Sequence, residues 1–246
     1  MRLFGLIGHP LSHSFSKKYF TEKFEKEQLT GCRFENFPIA SVDELPQILD
    51  TNPELEGLAV TIPYKQSVLK YLDASNIPDG LAACNCIRVE GKKLTGYNTD
   101  HSGFEKSIAP LLKPHHNRAL ILGNGGATAS VSFVLKKLGI GFDIVSRTIH
   151  DGSTLTYADI DERVMKEHTV IINTTPLGMY PVVNERPSIL YSNITKDHLL
   201  YDLIYNPEKT LFLQKGEMRG AAIKNGEEML VIQAEENWKI WNGVGV

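Results

Sequence analysis

The spacing of apolar and polar residues along the chain predicts a mixed α/β fold. Apolar runs of about five residues, which are typical of buried strands, alternate with stretches whose apolar residues recur every three or four positions, as in amphipathic helices. A turn at Gly91 joins two of the runs into a predicted hairpin. The pattern predicts strands at 3–7, 33–38, 58–62, 86–90, 94–97, 119–122, 142–145, 169–173, 199–203 and, more weakly, 221–223.

Predicted helices separate many of these strands. A helix at about 16–28 carries Phe20 and Phe24 on one face. Ser41, followed three residues later by Glu44, forms a capping box that predicts a short helix. Further helices are predicted after Pro63 and at about 102–112, 127–138 and 227–241.

A glycine turn between a strand and a helix is the strongest local motif. The glycines let the backbone turn tightly and approach phosphates closely, and the N-terminus of the helix directs N–H groups and a partial positive charge at an anion. The motif predicts a binding site for a dinucleotide pyrophosphate, although an α/β crossover whose glycines serve only packing has the same pattern. The turn consists of Gly123, Asn124, Gly125, Gly126 and Ala127.

The end of the next predicted strand indicates which dinucleotide binds. In a dinucleotide fold an acidic residue at this position accepts a hydrogen bond from the ribose 2′-hydroxyl of NAD. Here the position holds Ser146, Arg147 and Thr148. An arginine with two hydroxyl residues suits a 2′-phosphate and brings no carboxylate to repel it. The predicted cofactor is therefore NADP.

Composition excludes several classes of partner. The 246 residues are 42% hydrophobic and 22% charged with a net charge of -3, so there is no basic field for nucleic acid. No apolar stretch reaches the length of about 18 residues that a membrane span requires, and residues 1–9 are a poor signal peptide. Cys32, Cys84 and Cys86 lack a zinc-site spacing and are interpreted as reduced thiols. We expect a cytoplasmic protein with small-molecule partners and no metal.

Lys65 and Asp100 are the candidate acid–base pair. A nicotinamide dehydrogenase needs a proton donor and acceptor beside the carbon that exchanges hydride. Lys65 follows a buried strand in a predicted first helical turn, where a cation is electrostatically misplaced, and Asp100 stands between a predicted strand and a helix. Alone, each has an ordinary interpretation, as a solvated lysine and a helix cap. About 4 Å apart, they would attract by up to about 4 kcal/mol, which is enough to orient the lysine.

Two serines near the N-terminus indicate a binding site for a substrate carboxylate. Ser14 and Ser16 place two hydroxyls one residue apart just before a predicted helix. A serine cap on that helix explains one of them but not both.

Nine stretches in register resemble the shikimate dehydrogenase family, and together they cover nearly the whole chain. They are GHPLSHSFS at 8–16, VTIPYK at 60–65, AACNCI at 82–87, GYNTD at 96–100, GNGGA at 123–127, SRT at 146–148, INTTPLGMYP at 172–181, YDLIYNPEKT at 201–210 and NGEEMLVIQA at 225–234.

This resemblance implies an α/β protein of two domains. The first, an N-terminal α/β substrate domain with a mixed sheet, would span 1–101 and be completed by the C-terminal helix region 226–246; the second, a Rossmann-like NADP-binding domain, would span 102–225. The implied activity is the reversible NADPH-dependent reduction of 3-dehydroshikimate to shikimate in the biosynthesis of chorismate and aromatic amino acids. A monomer or homodimer is expected.

The resemblance also implies roles for individual residues. Lys65 and Asp100 would be the catalytic pair, while Leu203 and Gly226 would lie near the nicotinamide. The glycine turn would hold the pyrophosphate and the stretch 146–148 the adenosine phosphate. The implied substrate residues are Ser14, Ser16, Thr61, Asn85, Asp100, Tyr205 and Gln233.

Several positions depart from the family pattern and leave alternatives open. A second basic residue shortly after Arg147 is missing, which would weaken the preference for NADP. One alternative is a quinate/shikimate dehydrogenase that uses NAD, and another is a non-catalytic ligand-sensing protein on the same fold. The other departures are Lys17, Ala59, Cys84, Cys86, His101 and Ser146.

Overall fold

The computed structural model describes residues 1–11, 14–149 and 152–244, and the chain divides into two compact units. The first unit comprises Met1–Ser102 and Leu230–Val246, and the second comprises Gly103–Met229. Each unit is built on its own sheet with helices packed against it, so the predicted α/β class with one mixed and one Rossmann-like sheet is confirmed.

The strands and helices follow one another along the described residues in a largely alternating order. The strands are β1 (Arg2–Gly8), β2 (Cys32–Pro38), β3 (Leu55–Val60), β4 (Ala74–Ser75), β5 (Cys86–Glu90), β6 (Lys93–Tyr97), β7 (Arg118–Leu122), β8 (Gly141–Ser146), β9 (Leu155–Thr156), β10 (Val170–Asn173), β11 (Leu199–Asp202) and β12 (Ala222–Lys224). The α-helices are α1 (Phe15–Lys26), α2 (Leu45–Thr51), α3 (Asp100–Ile108), α4 (Gly126–Lys137), α5 (Glu162–Glu167), α6 (Leu211–Glu217) and α7 (Glu227–Trp241).

The sheet of the first unit is mixed. Its order is β2-β1-β3-β5-β6-β4, in which β1 runs parallel to β2 and β3, while β5 runs antiparallel to β3 and β6. Since β3 and β6 therefore run in the same direction, their carboxyl ends lie at one edge of the sheet, together with the beginning of β5. This edge gathers the candidate catalytic residues.

The final helix completes the core of the first unit. Trp241 of α7 is 3% exposed, stacks on Phe4 and donates a hydrogen bond from its indole nitrogen to the Ile87 carbonyl at 3.0 Å. The ring lies directly on Gly57, where a Cβ would overlap it, so only glycine permits this close packing. The apolar face predicted for the last helix thus packs on strands from the beginning of the chain.

The sheet of the second unit is entirely parallel, in the order β12-β11-β10-β7-β8-β9. Both of its faces are covered, because Ala119 and Ile121 belong to one apolar cluster and the alternate residues Leu120 and Leu122 to another. Burial on both faces explains why its central strands β7, β10 and β11 are nearly continuous apolar runs rather than alternating patterns. The carboxyl ends of β7, β10 and β11 meet at one edge, where open α/β sheets bind ligands.

One predicted element is wrong in type and position. The chain after Pro63 forms a turn and then a short 3₁₀ helix, Ser67–Tyr71, instead of an α-helix beginning directly. Lys65 therefore lies in a turn between strand and 3₁₀ helix, and the argument from a cation at a helix N-terminus does not apply to it. None of the helices in the described ranges is long and apolar enough to cross a membrane.

Candidate active site

The first unit brings three segments of the chain together at one edge of its sheet. Thr61 follows the end of β3, Asn85 precedes β5, and Asp100 comes shortly after the end of β6. The register Ala59 to Cys86 and Cys86 to Tyr97 places these segments side by side. Lys65, four residues after Thr61, and Asp100 consequently meet at this edge.

Lys65 and Asp100 form a short ion pair. Lys65 Nζ donates to Asp100 Oδ2 at 2.6 Å, with side chains 21% and 10% exposed. The backbone carbonyl of Lys65 accepts from Cys84 N at 2.7 Å, and the preceding Tyr64 is anchored by its hydroxyl to the Ile39 carbonyl. The lysine is thus fixed at both its backbone and its ammonium, yet it stays partly accessible to a ligand.

Asn85 holds the other oxygen of the carboxylate. Its Nδ2 donates to Asp100 Oδ1 at 2.9 Å and to Gln233 Oε1 at 3.0 Å, while its Oδ1 accepts from Thr99 N at 2.6 Å. Asn85 is 2% exposed, so these bonds replace those that water would make. Asp100 is therefore oriented from two sides, by Lys65 and by Asn85.

Two residues of this network were not among the sequence candidates. Thr99 donates from its hydroxyl to Asn237 Oδ1 at 2.7 Å, and both residues are buried. Asn237 lies four residues after Gln233 on α7, which places the two amides on one face of the helix. That spacing within a helix of broad apolar character was the available signal, because a buried asparagine there requires polar partners.

The two candidate serines occupy different positions relative to α1. Ser14 caps the helix, accepting a hydrogen bond from Lys17 N at 3.2 Å, whereas Ser16 lies within its first turn. Both are partly exposed, as is Thr61 at the end of β3. His13, which was quoted with the serine motif, lies outside the described residues.

The glycine turn of the second unit has the geometry of a phosphate site. Gly123 adopts φ +109°, which only glycine occupies without strain, and a Cβ there would lie 2.8 Å from Thr174 Oγ1. At Gly125 and Gly126 a Cβ would meet open space, so these two glycines border room for a ligand. The first N–H groups of α4 begin at Gly126, where the helix dipole favours an anion.

The residues after β8 differ in what they offer a phosphate. Ser146 is buried and donates its hydroxyl to the Thr148 carbonyl, so it stabilises the turn itself. Arg147 and Thr148 are exposed, and the guanidinium of Arg147 makes no ion pair with any described residue. Arg147 is therefore an exposed positive charge at this position.

Leu203 and Gly226 lie against each other in the second unit. A Cβ on Gly226 would overlap the Leu203 carbonyl oxygen, and Gly226 N donates to the Ile204 carbonyl at 3.1 Å. Tyr205 follows on the same loop, and burial raises the pKa of its hydroxyl. Tyr205 belongs to the second unit, whereas the other predicted substrate residues belong to the first.

The first unit thus has a lysine–aspartate ion pair and the second a glycine turn at a helix N-terminus, and a nucleotide-dependent dehydrogenase requires groups of both kinds. Residues 6–87 match the family described as the shikimate dehydrogenase substrate binding domain. The chain is 34% identical to the shikimate dehydrogenase (NADP(+)) of Methanococcus aeolicus, over 99% of this chain and 92% of that protein.

Two further comparisons agree. The protein of the same name from Clostridium beijerinckii is 38% identical, over 98% of this chain and 92% of its own length. The crystal structure of shikimate 5-dehydrogenase from Thermus thermophilus in complex with NADP(H) and shikimate has a TM-score of 0.85 at 25% identity, covering 99% of this chain and 94% of that one. The chain belongs to the shikimate dehydrogenase family.

Proposed function

We propose that this protein is an NADP-dependent shikimate dehydrogenase that reversibly reduces 3-dehydroshikimate to shikimate. The observation that carries the proposal is the Lys65–Asp100 ion pair of 2.6 Å at the carboxyl edge of the first sheet, in a chain with a phosphate-binding turn. The relatives named for this substrate and cofactor support it over nearly the full length of the chain. The comparisons do not favour NAD-dependent quinate oxidation or ligand sensing without catalysis over this activity.

Lys65 is the proton-transferring group in this proposal. During reduction its ammonium gives a proton to the ketone oxygen as that oxygen becomes a hydroxyl, and during oxidation its amine takes the proton back. Asp100 holds the lysine in place and is held in turn by Asn85. Ser14, Ser16, Thr61, Tyr205 and Gln233 would bind the substrate's carboxylate and hydroxyls, together with Asn85 and Asp100.

The residues of the second unit fit an NADP cofactor. The open space beside Gly125 and Gly126 suits a pyrophosphate, and the exposed guanidinium of Arg147 suits a 2′-phosphate. Leu203 and Gly226 would flank the nicotinamide, which supplies or accepts the hydride when bound. Accordingly we assign the unit Gly103–Met229 to the cofactor and the other unit to the substrate.

We further propose that the reaction takes place in the cytoplasm, by a monomer or homodimer. Cys32, Cys84 and Cys86 are all free, as a reducing compartment keeps them. Burial raises the pKa of Cys84 to about 11, so this thiol next to the catalytic pair stays protonated and does not compete with Lys65 for the substrate.

A steady-state assay of the purified protein tests the proposal. The protein should reduce NADP with shikimate faster than NAD with shikimate or NADP with quinate. Lys65→Ala should lower kcat by about 10² to 10⁴ with a much smaller change in KM, because the proton transfer is lost while most binding contacts remain. Lys70→Ala is the matched control, since Lys70 is an exposed lysine paired with Asp43.

Two results would overturn the proposal. One is wild-type protein without shikimate-dependent NADP reduction, and the other is Lys65→Ala protein with undiminished kcat.

A further inference from the structure

The second unit contains a buried carboxylate that the proposed catalytic pair does not use. Asp202, the last residue of β11, is fully buried and accepts three hydrogen bonds. Asn173 Nδ2 and Ile204 N donate to its Oδ1 at 3.0 and 3.1 Å, and Thr210 Oγ1 donates to its Oδ2 at 2.6 Å. Burial raises the pKa of Asp202 to about 6, and no cation among the described residues pairs with it.

The three donors belong to three different segments. Asn173 is the register partner of Asp202 on the neighbouring strand, Ile204 belongs to the loop after β11, and Thr210 is the N-cap of α6. A charged group buried among neutral donors lowers stability relative to a neutral group of the same shape. Asp202 therefore contributes something other than packing.

The bond from Ile204 N fixes a short piece of backbone. Leu203 N donates to the Asn173 carbonyl at 3.0 Å, and the Ile204 carbonyl accepts from Gly226 N at 3.1 Å. The peptide between Leu203 and Ile204 is thus held by Asp202 on one side and by the close approach of Gly226 on the other. We call this arrangement, Asp202 Oδ1 on one side of the peptide and Gly226 on the other, the Ile204 clamp. Removing the Asp202 oxygen removes one side of it.

The same network continues toward the glycine turn. The Asn173 amide oxygen accepts from Thr175 N and Oγ1, at 3.0 and 2.6 Å. Thr174 Oγ1 lies 3.1 Å from Thr128 Oγ1, which accepts from Gly125 N at 3.1 Å. Hydrogen bonds and consecutive residues therefore link the carboxylate to the turn across the carboxyl ends of β11, β10 and β7.

We propose that Asp202 is a positioning residue of the dehydrogenase, whose Oδ1 fixes the Leu203–Ile204 backbone through the Ile204 N–H. This inference rests on the proposed function, which places Leu203 beside the nicotinamide. Asp202 itself contacts neither substrate nor cofactor. It acts on the reaction by holding the backbone against which the reacting ring is aligned.

A second role, support of the α6 cap, must be separated from this one. Thr210 Oγ1 accepts from Leu213 N at 3.4 Å while donating to Asp202. Thr210→Val removes the cap and the bond to Oδ2 but leaves the bond from Ile204 N to Oδ1. Asp202→Ala removes all of the carboxylate's bonds. The two variants share the loss of helix support and differ in the Ile204 clamp.

The experiment compares these variants in kinetics and in NADPH binding. Asp202→Ala should lower kcat about tenfold or more and change the Kd of NADPH less than about threefold, since the glycine turn still holds the phosphates. Thr210→Val should have a lower Tm and a kcat within about threefold of the wild type. The inference is overturned if folded Asp202→Ala retains the wild-type kcat, or if Thr210→Val loses as much kcat as Asp202→Ala.

Asp202→Asn tests the inference even if the alanine variant does not fold. An asparagine keeps an oxygen for Ile204 N and Asn173 Nδ2, so its kcat should stay within about threefold of the wild type. A loss of more than about tenfold would show that the charge, and not the clamp, is required, and would overturn the inference.

Hydrogen exchange at the Ile204 amide gives a readout that needs no turnover. Exchange should become at least about tenfold faster in Asp202→Ala and change little in Thr210→Val and Asp202→Asn. Equal exchange in all variants contradicts the clamp. If the wild type does not turn over shikimate, the proposed function fails, while the exchange result still decides whether Asp202 holds this backbone.

Discussion

The two units bury carboxylates at the carboxyl edges of their sheets in opposite ways. Asp100 in the first unit is paired with a cation at 2.6 Å and remains 10% exposed, whereas Asp202 in the second is fully buried among neutral donors. The first arrangement keeps a charge partly exposed at the edge of the sheet, and the second uses a carboxylate oxygen to fix the backbone at Ile204. Under the proposed function, burial depth and the kind of partner distinguish a carboxylate that holds the reacting lysine from one that holds backbone.

Removing the charge of Asp100 should have the largest effect. Asp100→Asn leaves the side chain's shape but loses the ion pair with Lys65, so the lysine is no longer held in one orientation. We expect kcat to fall by about 10²-fold or more with a small change in KM, measured by steady-state kinetics with shikimate and NADP. Asp79→Asn, at an exposed aspartate, is the control. An Asp100→Asn enzyme as fast as the control would remove the functional difference between the two carboxylates.

The same substitution at Asp202 should act on stability through pH. The raised pKa, about 6 against an ordinary 3.8, means that between about pH 4 and 6 the folded carboxyl keeps its proton while the unfolded one has lost it. The free energy of unfolding therefore falls by about 2 kcal/mol as pH rises from 4 to 7. Asparagine does not titrate, so the free energy of unfolding of Asp202→Asn lacks this decrease. From pH 4 to pH 7 the variant should therefore gain about the same free energy of unfolding relative to the wild type.

Urea denaturation at pH 4 and pH 7 measures this difference. Parallel pH dependences of the two proteins would show that Asp202 is not a buried ionised group at neutral pH. Asp79→Asn serves again as the control and should follow the wild type.

Removing the side-chain amide of Asn85, which connects Asp100 to α7, should have an intermediate effect on stability and kcat. Asn85→Ala leaves Thr99 N without an acceptor and Asp100 Oδ1 and Gln233 Oε1 without their donor. We expect a loss of about 2 kcal/mol in the free energy of unfolding and a kcat about tenfold lower. Asn76→Ala, at an exposed asparagine of the same unit, should change neither. Unchanged kcat in folded Asn85→Ala would show that Lys65 alone orients Asp100.

The smallest effect is expected at a more exposed carboxylate. Burial alone would raise the pKa of Glu235, but hydrogen bonds from Lys23 and Tyr19 outweigh it, and the pKa lies below 4.5. The stabilisation from this pair is therefore present above pH 4.5 and lost as pH falls below it. Glu235→Gln should lower the free energy of unfolding by less than about 1 kcal/mol at pH 7 and by nothing in acid.

Glu25→Gln, at an exposed position of α1, is the matched control, and urea denaturation at pH 7 and at a pH well below 4 measures the difference. An equal loss at both pH values would mean that the charge of Glu235 plays no part.

Much of the fold followed from local patterns, because the chain's strongest signals are local. The buried runs of β7 and β10, the capping box at Ser41 and the glycine turn all depend on residues close in sequence. The boundaries differ by a few residues; for example, α3 begins at Asp100 rather than at about 102. The short helices α5 and α6 and the two-residue strands were not predicted, because such short elements are stabilised by tertiary packing and not by their own periodicity.

The residues of the candidate site likewise fall into those that sequence motifs identify and those that only the fold identifies. Lys65, Asp100 and Asn85 were identified from motifs, and the structure brings the three side chains into hydrogen-bond contact. The spacing of Asn237 from Gln233 is local, but its partner Thr99 lies far away in the sequence, and no local pattern identifies that partner. Asp202 lies within one of the family-like motifs, but the motif does not show that it is buried. Its three hydrogen-bond donors come from three separate segments, which only the fold brings together.

The position of Trp241 has a consequence for the order in which the protein folds during synthesis. The second unit is one continuous stretch, so every residue of its core is available once Met229 has left the ribosome. Synthesis of the first unit begins earlier, but the unit lacks Trp241, which covers Gly57 and Phe4, until the chain has been made through residue 241. Its aromatic core therefore closes after that of the second unit, and termination of translation before Trp241 leaves the first unit, rather than the second, incomplete.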